Sequence, residues 1–252
     1  MLWHEGPAVL KVLKTIKTSF VLTIPVVSVY VFVGIAFGFL LYSKGYGVEY
    51  AGFMSSTVFA GAMQFVAVGL LAEPFSPLYV CLITFMVNAR HIFYGFSMLE
   101  KYRDMGRIKP YLIFGMTDET FAILFSYKGP PPEGVTIKGV FFFTTLLNNV
   151  YWVGGSIVGG LLGNALLVDV TGVEFLMPAL FSAIVVEQMR NKQHRIPCII
   201  GFGASLACLL IFGREGFMLP AMIMLVAVLT LARRPLEKDI PKENESSGED
   251  MR

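Results

Sequence analysis

The sequence is short of charged residues, of histidine and of cysteine. Of its 252 residues only 15% are charged and 55% are hydrophobic, and the mean hydropathy is +0.67. Soluble domains carry about 25% charged residues, so this composition excludes an ordinary soluble domain. Its cysteines, Cys81, Cys198 and Cys208, stand inside apolar runs and form no CxxC pair. Neither a disulfide framework nor a zinc site is therefore expected.

Motifs for catalysis and for cofactor binding are also missing. The sequence contains no HExxH motif, no P-loop and no GxSxG motif. We therefore predict that the chain is not an enzyme, holds no metal and no cofactor, and does not use ATP directly. It has no sizeable soluble region with which to bind nucleic acid.

Long apolar runs fill most of the chain instead. A bilayer core of about 30 Å is crossed by roughly 20 apolar residues in a helix, and backbone groups in lipid must bind one another. Because the runs do not alternate between apolar and polar residues, they favour helices over barrel strands. The sequence predicts an all-α polytopic membrane protein that crosses the cell membrane several times.

The chain divides into three predicted parts. Residues 1–18 form a basic amphipathic segment on the cytoplasmic surface, with lysines at positions 11, 14 and 17. Residues 19–232 form a transmembrane transporter domain. Residues 233–252 form a charged, disordered cytoplasmic tail. Full spans are expected over residues 19–42, 76–99, 110–127, 139–163, 196–213 and 216–232.

Two further apolar segments, residues 47–72 and 172–189, are rich in small and polar residues. Either they are full spans, which gives eight, or they are broken or re-entrant and six spans remain. Only the six-span arrangement places the basic loop 101–109 and both termini in the cytoplasm, as the positive-inside rule requires; it leaves Lys44, Lys128, Lys138 and Arg214 outside. A Gly-Val-Glu-aromatic match at an offset of 125 residues then suggests pseudo-repeats over 19–127 and 139–232. The resulting prediction is an inverted repeat of three spans plus one re-entrant or broken helix per half.

Polar clusters in two apolar segments mark the candidate site. Asn88, Arg90 and His91 stand in one segment and Asp118 and Glu119 in the next. Ionisable groups at membrane depth cost about 2.5–3.5 kcal/mol each on insertion scales, so they usually pair or act on a solute. Arg90 with one carboxylate is the expected helix-locking pair, and the other carboxylate with His91 and Asn88 is the expected working site. The sequence does not decide between the two carboxylates.

On a continuous helix, Thr84, Asn88 and His91 would share one face. Gln64, in the segment 47–72, completes the primary substrate or proton pathway. Secondary candidates share a polar or aromatic side chain within an apolar run: Ser56, Thr57, Tyr94, Thr117, Asn148, Asn149, Trp152 and Glu187.

Four stretches carry a resemblance to a known family: STVFAGAMQFVAVGLL (56–71), VNARHIFYGFSM (87–98), TDETFAIL (117–124) and NNVYWVGGSIVGG (148–160). Together they resemble the AzlC-type family, the large subunits of two-component branched-chain amino acid exporters. The resemblance covers about residues 15–232. It implies export of leucine, isoleucine and valine, sometimes methionine, driven by the proton gradient, with a small membrane partner of the AzlD type.

The function predicted from sequence is thus a secondary active exporter of apolar amino acids. One alternative is a channel or a transporter for another small solute. Another is an intramembrane hydrolase that would use His91 with a serine or cysteine nucleophile.

Overall fold

The computed structural model describes residues 7–71, 74, 76–165 and 192–231, and isolated positions 175, 179, 182, 185, 186, 189 and 190. The described residues form helices, turns and loops and contain no β-strand. The chain divides into two compact units, Met1–Met177 and Pro178–Arg252.

The first unit contains eight α-helices among its described residues: α1 Pro7–Ser43, α2 Val48–Thr57, α3 Gly61–Leu70, α4 Pro77–Asn88, α5 Arg90–Met98, α6 Lys109–Phe114, α7 Asp118–Ser126 and α8 Ile137–Ala165. A single 3₁₀ turn, Gly106–Ile108, precedes α6. The described part of the second unit contains α9 Lys192–Gly216 and α10 Met218–Leu231.

Several of these helices meet the requirements of a membrane span. Val9–Ser43 and Arg195–Gly213 are long and apolar enough by themselves, and α4 with α5 qualifies as one span bent by 47°. The prediction of an all-helical membrane protein is therefore confirmed. The predicted spans 139–163, 196–213 and 216–232 fall on α8, α9 and α10, and of these α9 is long and apolar enough to cross a membrane. Most of the segment 172–189, including Glu187, and the tail 233–252 lie outside the described residues.

The basic segment 8–18 is helical, as expected, but no break separates it from the first span. Helix α1 runs through both and carries Pro25 in its interior. The boundary between a surface segment and a span at residue 18 stays a prediction.

Helices α1 and α8 pack side by side through small residues. A Cβ atom on Gly34 would lie 3.3 Å from the carbonyl carbon of Gly155, and one on Gly38 would overlap the carbonyl oxygen of Ser156. Small residues at four-residue spacing let helix backbones approach this closely. The glycines of α1 therefore allow close packing against α8 of the same chain.

The two helices run in the same direction. Ser19 Oγ near the start of α1 donates to the Val140 carbonyl oxygen at 3.2 Å. Tyr42 OH near its end donates to Asn164 Oδ1 at 3.0 Å. The offset of 125 residues aligns α1 with α8, and an inverted repeat would set those helices antiparallel. The alignment of α1 with α8 at this offset therefore does not relate two halves of opposite orientation.

Helices α2 and α3 form a hairpin that begins at the Ser43 end of α1. A Cβ atom on Gly160 would lie 3.1 Å from Val48, and one on Gly61 would lie 3.0 Å from the Trp152 ring, so α2 runs back along α8. Helix α3 then returns, because Val68 lines a cavity with Lys44 just beyond the end of α1. Within residues 47–71 the segment is therefore broken into two helices and does not form one continuous helix.

The segment 110–127 was predicted as a full span, and this is wrong. It forms two short helices, α6 with 6 residues and α7 with 9. Lys101, in the loop before α6, donates from Nζ to the carbonyl oxygens of Leu124 at 2.8 Å, Phe125 at 2.7 Å and Tyr127 at 3.0 Å. The segment therefore enters and leaves on the same side, as a second hairpin that faces the first.

The second hairpin puts Lys128 and Lys138 on the side opposite to the one predicted from sequence. Burial lowers the pKa of Lys101, and the nearby positive charge of Lys128 lowers it further. A Cβ atom on Gly134 would lie 3.7 Å from Lys14 Cδ. The loop 127–136 thus lies beside the start of α1, so Lys128 and Lys138 belong on the basic side and not opposite it.

We expect Gly38→Ala to destabilise the first unit, since an added methyl group meets the α8 backbone. Overpacking of this kind costs about 1–3 kcal/mol. Thermal unfolding in detergent would measure the loss. Gly154→Ala is the matched control, because no atom lies within 4 Å of a Cβ atom there. Equal stability of the two variants would contradict the close α1–α8 contact.

The sidedness of the second hairpin can be measured by labelling. In a variant that lacks the native cysteines, we expect Lys14→Cys and Lys128→Cys to react with an impermeant maleimide from one side of the membrane. Lys44→Cys should react only from the other, because all three positions are exposed and Lys44 follows the opposite end of α1. Labelling of position 128 from the Lys44 side would restore the predicted full span.

Candidate functional site

The two hairpins meet at their tips. The first tip, residues 58–60, contains Phe59 with φ 34°, a left-handed conformation that is uncommon for an aromatic residue. The ring centroid of Phe59 lies 6.1 Å from that of Phe114 at the end of α6. The tips of both hairpins therefore meet at Phe59 and Phe114.

The second tip is built around a capped helix start. Thr117 is the N-cap of α7, and its Oγ1 accepts from the Thr120 backbone amide at 3.2 Å. A threonine that precedes acidic residues in the first turn is a standard helix start, because it satisfies an otherwise unpaired amide. Gly115 ends α6 just before it. This local pattern contained the signal for the break that sequence analysis missed.

Asp118 is held by two groups from α5. Arg90 Nη1 lies 2.7 Å from Asp118 Oδ2, with 30% of each side chain exposed. Tyr94 OH donates to Asp118 Oδ1 at 2.7 Å, and the Tyr94 ring stacks on Phe121 with centroids 4.5 Å apart. The predicted ion pair between Arg90 and a carboxylate is present, and its acidic partner is Asp118.

Glu119 points to a different helix. Tyr30 OH of α1 donates to Glu119 Oε2 at 3.0 Å, and the same hydroxyl is hydrogen-bonded to Thr117 Oγ1. Tyr30 is only 5% exposed. No sequence pattern pointed to it, because it lies in an apolar run far along the chain from its partners.

A buried chain of hydrogen bonds joins the first hairpin to α8. Trp152 Nε1 donates to Gln64 Oε1 at 2.8 Å, and Gln64 Nε2 donates to Ser55 Oγ at 3.2 Å. The Trp152 ring also lies edge-on to Tyr30, with centroids 5.9 Å apart. Gln64 thus fixes both arms of the hairpin to the helix that carries Trp152.

A second buried connection runs from α7 to α8. Asn148 Nδ2 donates to Thr120 Oγ1 at 2.9 Å, and Thr120 Oγ1 accepts from Thr117 Oγ1 at 3.0 Å. Asn149, the neighbouring candidate, has a buried Nδ2 with no hydrogen-bond partner in the described structure. Only Asn148 of the two therefore contacts the candidate site through a hydrogen bond.

Several predicted side chains bind local backbone instead of the site. Helix α4 ends at Asn88, so Thr84, Asn88 and His91 do not share the face of one continuous helix. Asn88 Nδ2 donates to the Thr84 carbonyl oxygen at 3.0 Å, and His91 Nδ1 lies 3.0 Å from the Asn88 carbonyl oxygen. Within the described residues, no serine or cysteine is hydrogen-bonded to His91, which leaves the hydrolase alternative unsupported.

Ser56 and Thr57 also face their own helix. Their hydroxyls donate to the Gly52 carbonyl oxygen at 2.7 Å and the Phe53 carbonyl oxygen at 2.8 Å. They bind carbonyl oxygens in the last turn of α2, which is the end of a helix where carbonyl oxygens lack backbone partners. The amides near this break belong to the first turn of α3. Among the described residues, no group of three or more histidine, cysteine or acidic side chains is placed to hold a metal ion.

Comparison with known proteins gives a consistent result. The family model described as AzlC protein matches residues 25–166. A protein of Bacillus subtilis (strain 168) named "Branched-chain amino acid transport protein AzlC" is 43% identical over 222 residues, which are 88% of this chain and 87% of that protein.

More distant relatives extend the comparison. A protein of Helicobacter pylori (strain ATCC 700392 / 26695), named as a membrane protein, is 40% identical over 89% of this chain and 98% of its own length. The inner membrane protein YgaZ of Escherichia coli (strain K12) is 31% identical over 68% of this chain and 72% of its own length. No solved structure matches the chain.

The Arg90–Asp118 pair should contribute to stability as a unit. We expect Arg90→Gln and Asp118→Asn each to lower the free energy of unfolding, and the double variant to lose less than their sum. Partners in one charge network couple by about 0.5–3 kcal/mol. A double-mutant cycle by thermal unfolding in detergent would measure the coupling.

The control cycle combines Arg90→Gln with Glu49→Gln. Glu49 is an exposed residue in the first turn of α2, at the outer end of the first hairpin. Additive losses are expected there. Additivity in the Arg90–Asp118 cycle as well would contradict a stabilising ion pair.

Proposed function

Because this chain belongs to the AzlC protein family, we propose that it is a secondary active transporter that exports branched-chain and other apolar amino acids. The proposal draws on the Bacillus subtilis relative, whose name describes branched-chain amino acid transport and which aligns along 88% of this chain. That name describes a transport protein, in agreement with the prediction that the chain is not an enzyme.

The observation that carries the proposal is the meeting of two hairpins from opposite sides. Their tips are in contact through Phe59 and Phe114, and charged side chains lie beside the second tip. Broken helices that meet inside a bilayer provide a polar site at depth with an approach from each side. Alternate opening of the two hairpins would expose that site first to the cytoplasm and then to the exterior.

The arrangement also suggests a shorter inverted repeat than the one predicted. A membrane-crossing element followed by a hairpin occurs as α1 with α2–α3, and again as α4–α5 with α6–α7. The two copies run in opposite directions, because the hairpins enter from opposite ends of α1. We propose this unit as the inverted repeat of the family.

The substrate would lie between the tips. Its ammonium group would contact Asp118 or Glu119, and its carboxylate would meet the backbone amides in the first turn of α3. An anion is favoured at a helix start because the amides there are unpaired and the helix dipole is positive. The aliphatic side chain would pack against aromatic side chains, for which Phe59, Phe65, Tyr94 and Phe121 are the candidates.

The energy source would be the proton gradient. A substrate leaving the cell against its concentration would be exchanged for a proton entering. Gln64, Asn88, Arg90, His91, Asp118 and Glu119 remain the proposed substrate or proton pathway, and within it the structure favours the residues that touch the second tip over Asn88 and His91.

Orientation and partner complete the proposal. Lys14, Lys128 and the loop 101–109 lie at one end of the first unit, and positive charge favours the cytoplasmic side. We therefore propose that the N-terminus lies in the cytoplasm and that the C-terminal tail lies there too. A small AzlD-type membrane subunit would assemble with the chain.

Reconstitution in lipid vesicles tests this function. We expect vesicles containing the chain and its small subunit to release labelled leucine, isoleucine, valine and methionine with saturable kinetics when the outside is made acidic. A one-unit pH gradient can sustain up to about a tenfold amino acid gradient if one proton moves per substrate, since one pH unit is 1.36 kcal/mol. Lysine should stay inside.

The controls separate transport from leakage and show the role of the subunit. Vesicles without protein should not release the labelled amino acids when the outside is made acidic. Vesicles that contain the protein and are treated with a protonophore should show no stimulation of release by the pH gradient. Vesicles without the subunit show whether the large chain acts alone. Release that does not saturate, or that ignores the pH gradient, would point to a channel and contradict the proposal.

A further inference from the structure

We infer that Glu119 carries the coupling proton, that Tyr30 is its positioning residue, and that Asp118 is a fixed member of the ion pair with Arg90. The inference rests on the proposed proton-coupled export and assigns the two neighbouring carboxylates different roles in it. A helix turns by about 100° per residue, so adjacent side chains face different surroundings.

The surroundings of Asp118 suit a permanently charged group. One of its oxygens meets Arg90 Nη1 and the other accepts from Tyr94 OH, both at 2.7 Å. A guanidinium is always charged, and both contacts stabilise the carboxylate over the neutral acid. Protonation of Asp118 would leave Arg90 with a neutral partner in a partly buried place, which is costly.

The surroundings of Glu119 suit a group that gains and loses a proton. Tyr30 OH reaches two acceptors, Glu119 Oε2 at 3.0 Å and Thr117 Oγ1. A phenol has one proton to donate and also accepts. When Glu119 is charged, Tyr30 donates to it and the Thr117 hydroxyl donates to the Tyr30 oxygen. When Glu119 takes up a proton, the new carboxyl O–H donates to the Tyr30 oxygen, Tyr30 donates to Thr117 Oγ1, and the Thr117 hydroxyl donates to Thr120 Oγ1.

Both protonation states of Glu119 are therefore hydrogen-bonded without movement of the backbone. The proton itself would enter from the acidic exterior, bind to a Glu119 carboxylate oxygen and leave to the cytoplasm. No other bond forms or breaks.

The neighbours on each packed element support this division. From α1, Tyr30 faces Glu119; on α7, Asp118 precedes it. The charged or titratable groups of α5 near the tip are Arg90, His91 and Tyr94, and of these Arg90 and Tyr94 contact Asp118. From α8 come neutral side chains, Asn148 through Thr120 and Trp152 against Tyr30.

Hydrogen bonds connect Tyr30 to other parts of the first unit, so a change at Tyr30 affects them. Thr117 Oγ1 caps α7 through the Thr120 amide and meets Thr120 Oγ1 at 3.0 Å. Thr120 accepts from Asn148 of α8. Proton uptake at Glu119 is thus coupled to the start of α7, which is one arm of the second hairpin.

Two transport modes distinguish the carboxylates. Reconstituted wild-type protein and variants are compared in leucine–leucine exchange at equal pH and in net leucine efflux driven by a pH gradient. We expect Glu119→Gln to lower the ratio of driven efflux to exchange at least about tenfold, because a neutral amide takes up no proton. Asp118→Asn should lower both modes together and leave the ratio near the wild-type value. Glu49→Gln is the matched control for the amide substitution.

A second variant decides the case if Glu119→Gln is too poorly folded to exchange leucine. Tyr30→Phe removes the hydroxyl and keeps the ring against Trp152. Because the charged carboxylate loses a donor, we expect the pH profile of driven efflux to move to higher pH by about one unit, the size that a hydrogen bond to a charged group supports. Tyr42→Phe, which removes a hydroxyl bonded to Asn164 at the end of α1, should leave the profile unchanged.

The outcomes are separable. An unchanged ratio in Glu119→Gln, or an unshifted profile in Tyr30→Phe, would overturn the assignment of Glu119. A lowered ratio in Asp118→Asn alone would transfer the role to Asp118. Wild-type protein that shows no pH-driven leucine efflux at all would instead overturn the proposed function.

Discussion

The need to satisfy backbone polar groups inside a bilayer governs this structure. A helix that stops at membrane depth exposes amides at one end and carbonyl oxygens at the other, with no bulk water to bind them. Each hairpin arm here is shorter than the roughly 20 residues of a crossing helix, so each tip brings such ends into the interior. At the second tip, Thr117 caps the amides of α7 and is itself bonded to Tyr30 and Thr120. At the outer end of that hairpin, Lys101 binds the last carbonyl oxygens.

The close packing of α1 against α8 supplies the frame on which the tips rest. Glycines bring the two backbones together, and this sets Tyr30 of one helix beside Trp152 of the other. Tyr30 then reaches the second hairpin, and Trp152 reaches the first through Gln64. Both hairpins are thus positioned by neighbouring side chains of one closely packed helix pair. A small displacement between α1 and α8 would change the geometry at both tips.

The helical geometry of α7 directs the two neighbouring carboxylates of the site in different directions. Adjacent acidic residues at the start of α7 point to different neighbours, and their environments differ accordingly. Asp118 meets a permanent cation from α5, whereas the hydrogen bond to Glu119 comes from a neutral hydroxyl of α1. A transporter needs both a stable tie between helices and a group that changes its protonation. Neighbouring positions on one helical turn supply both within a short distance.

The sequence by itself determined the membrane class, the family, most helix positions and the residues of the polar clusters, because hydropathy, glycine spacing and short motifs are local properties. The break at Gly115–Thr117 was readable from the cap and acidic turn, yet the surrounding apolar run concealed it. Only the tertiary structure decided that 110–127 turns back, that α1 and α8 are parallel, and which carboxylate meets Arg90. It alone revealed Tyr30 as well. These features depend on distances between residues far apart in the chain, which local patterns do not encode.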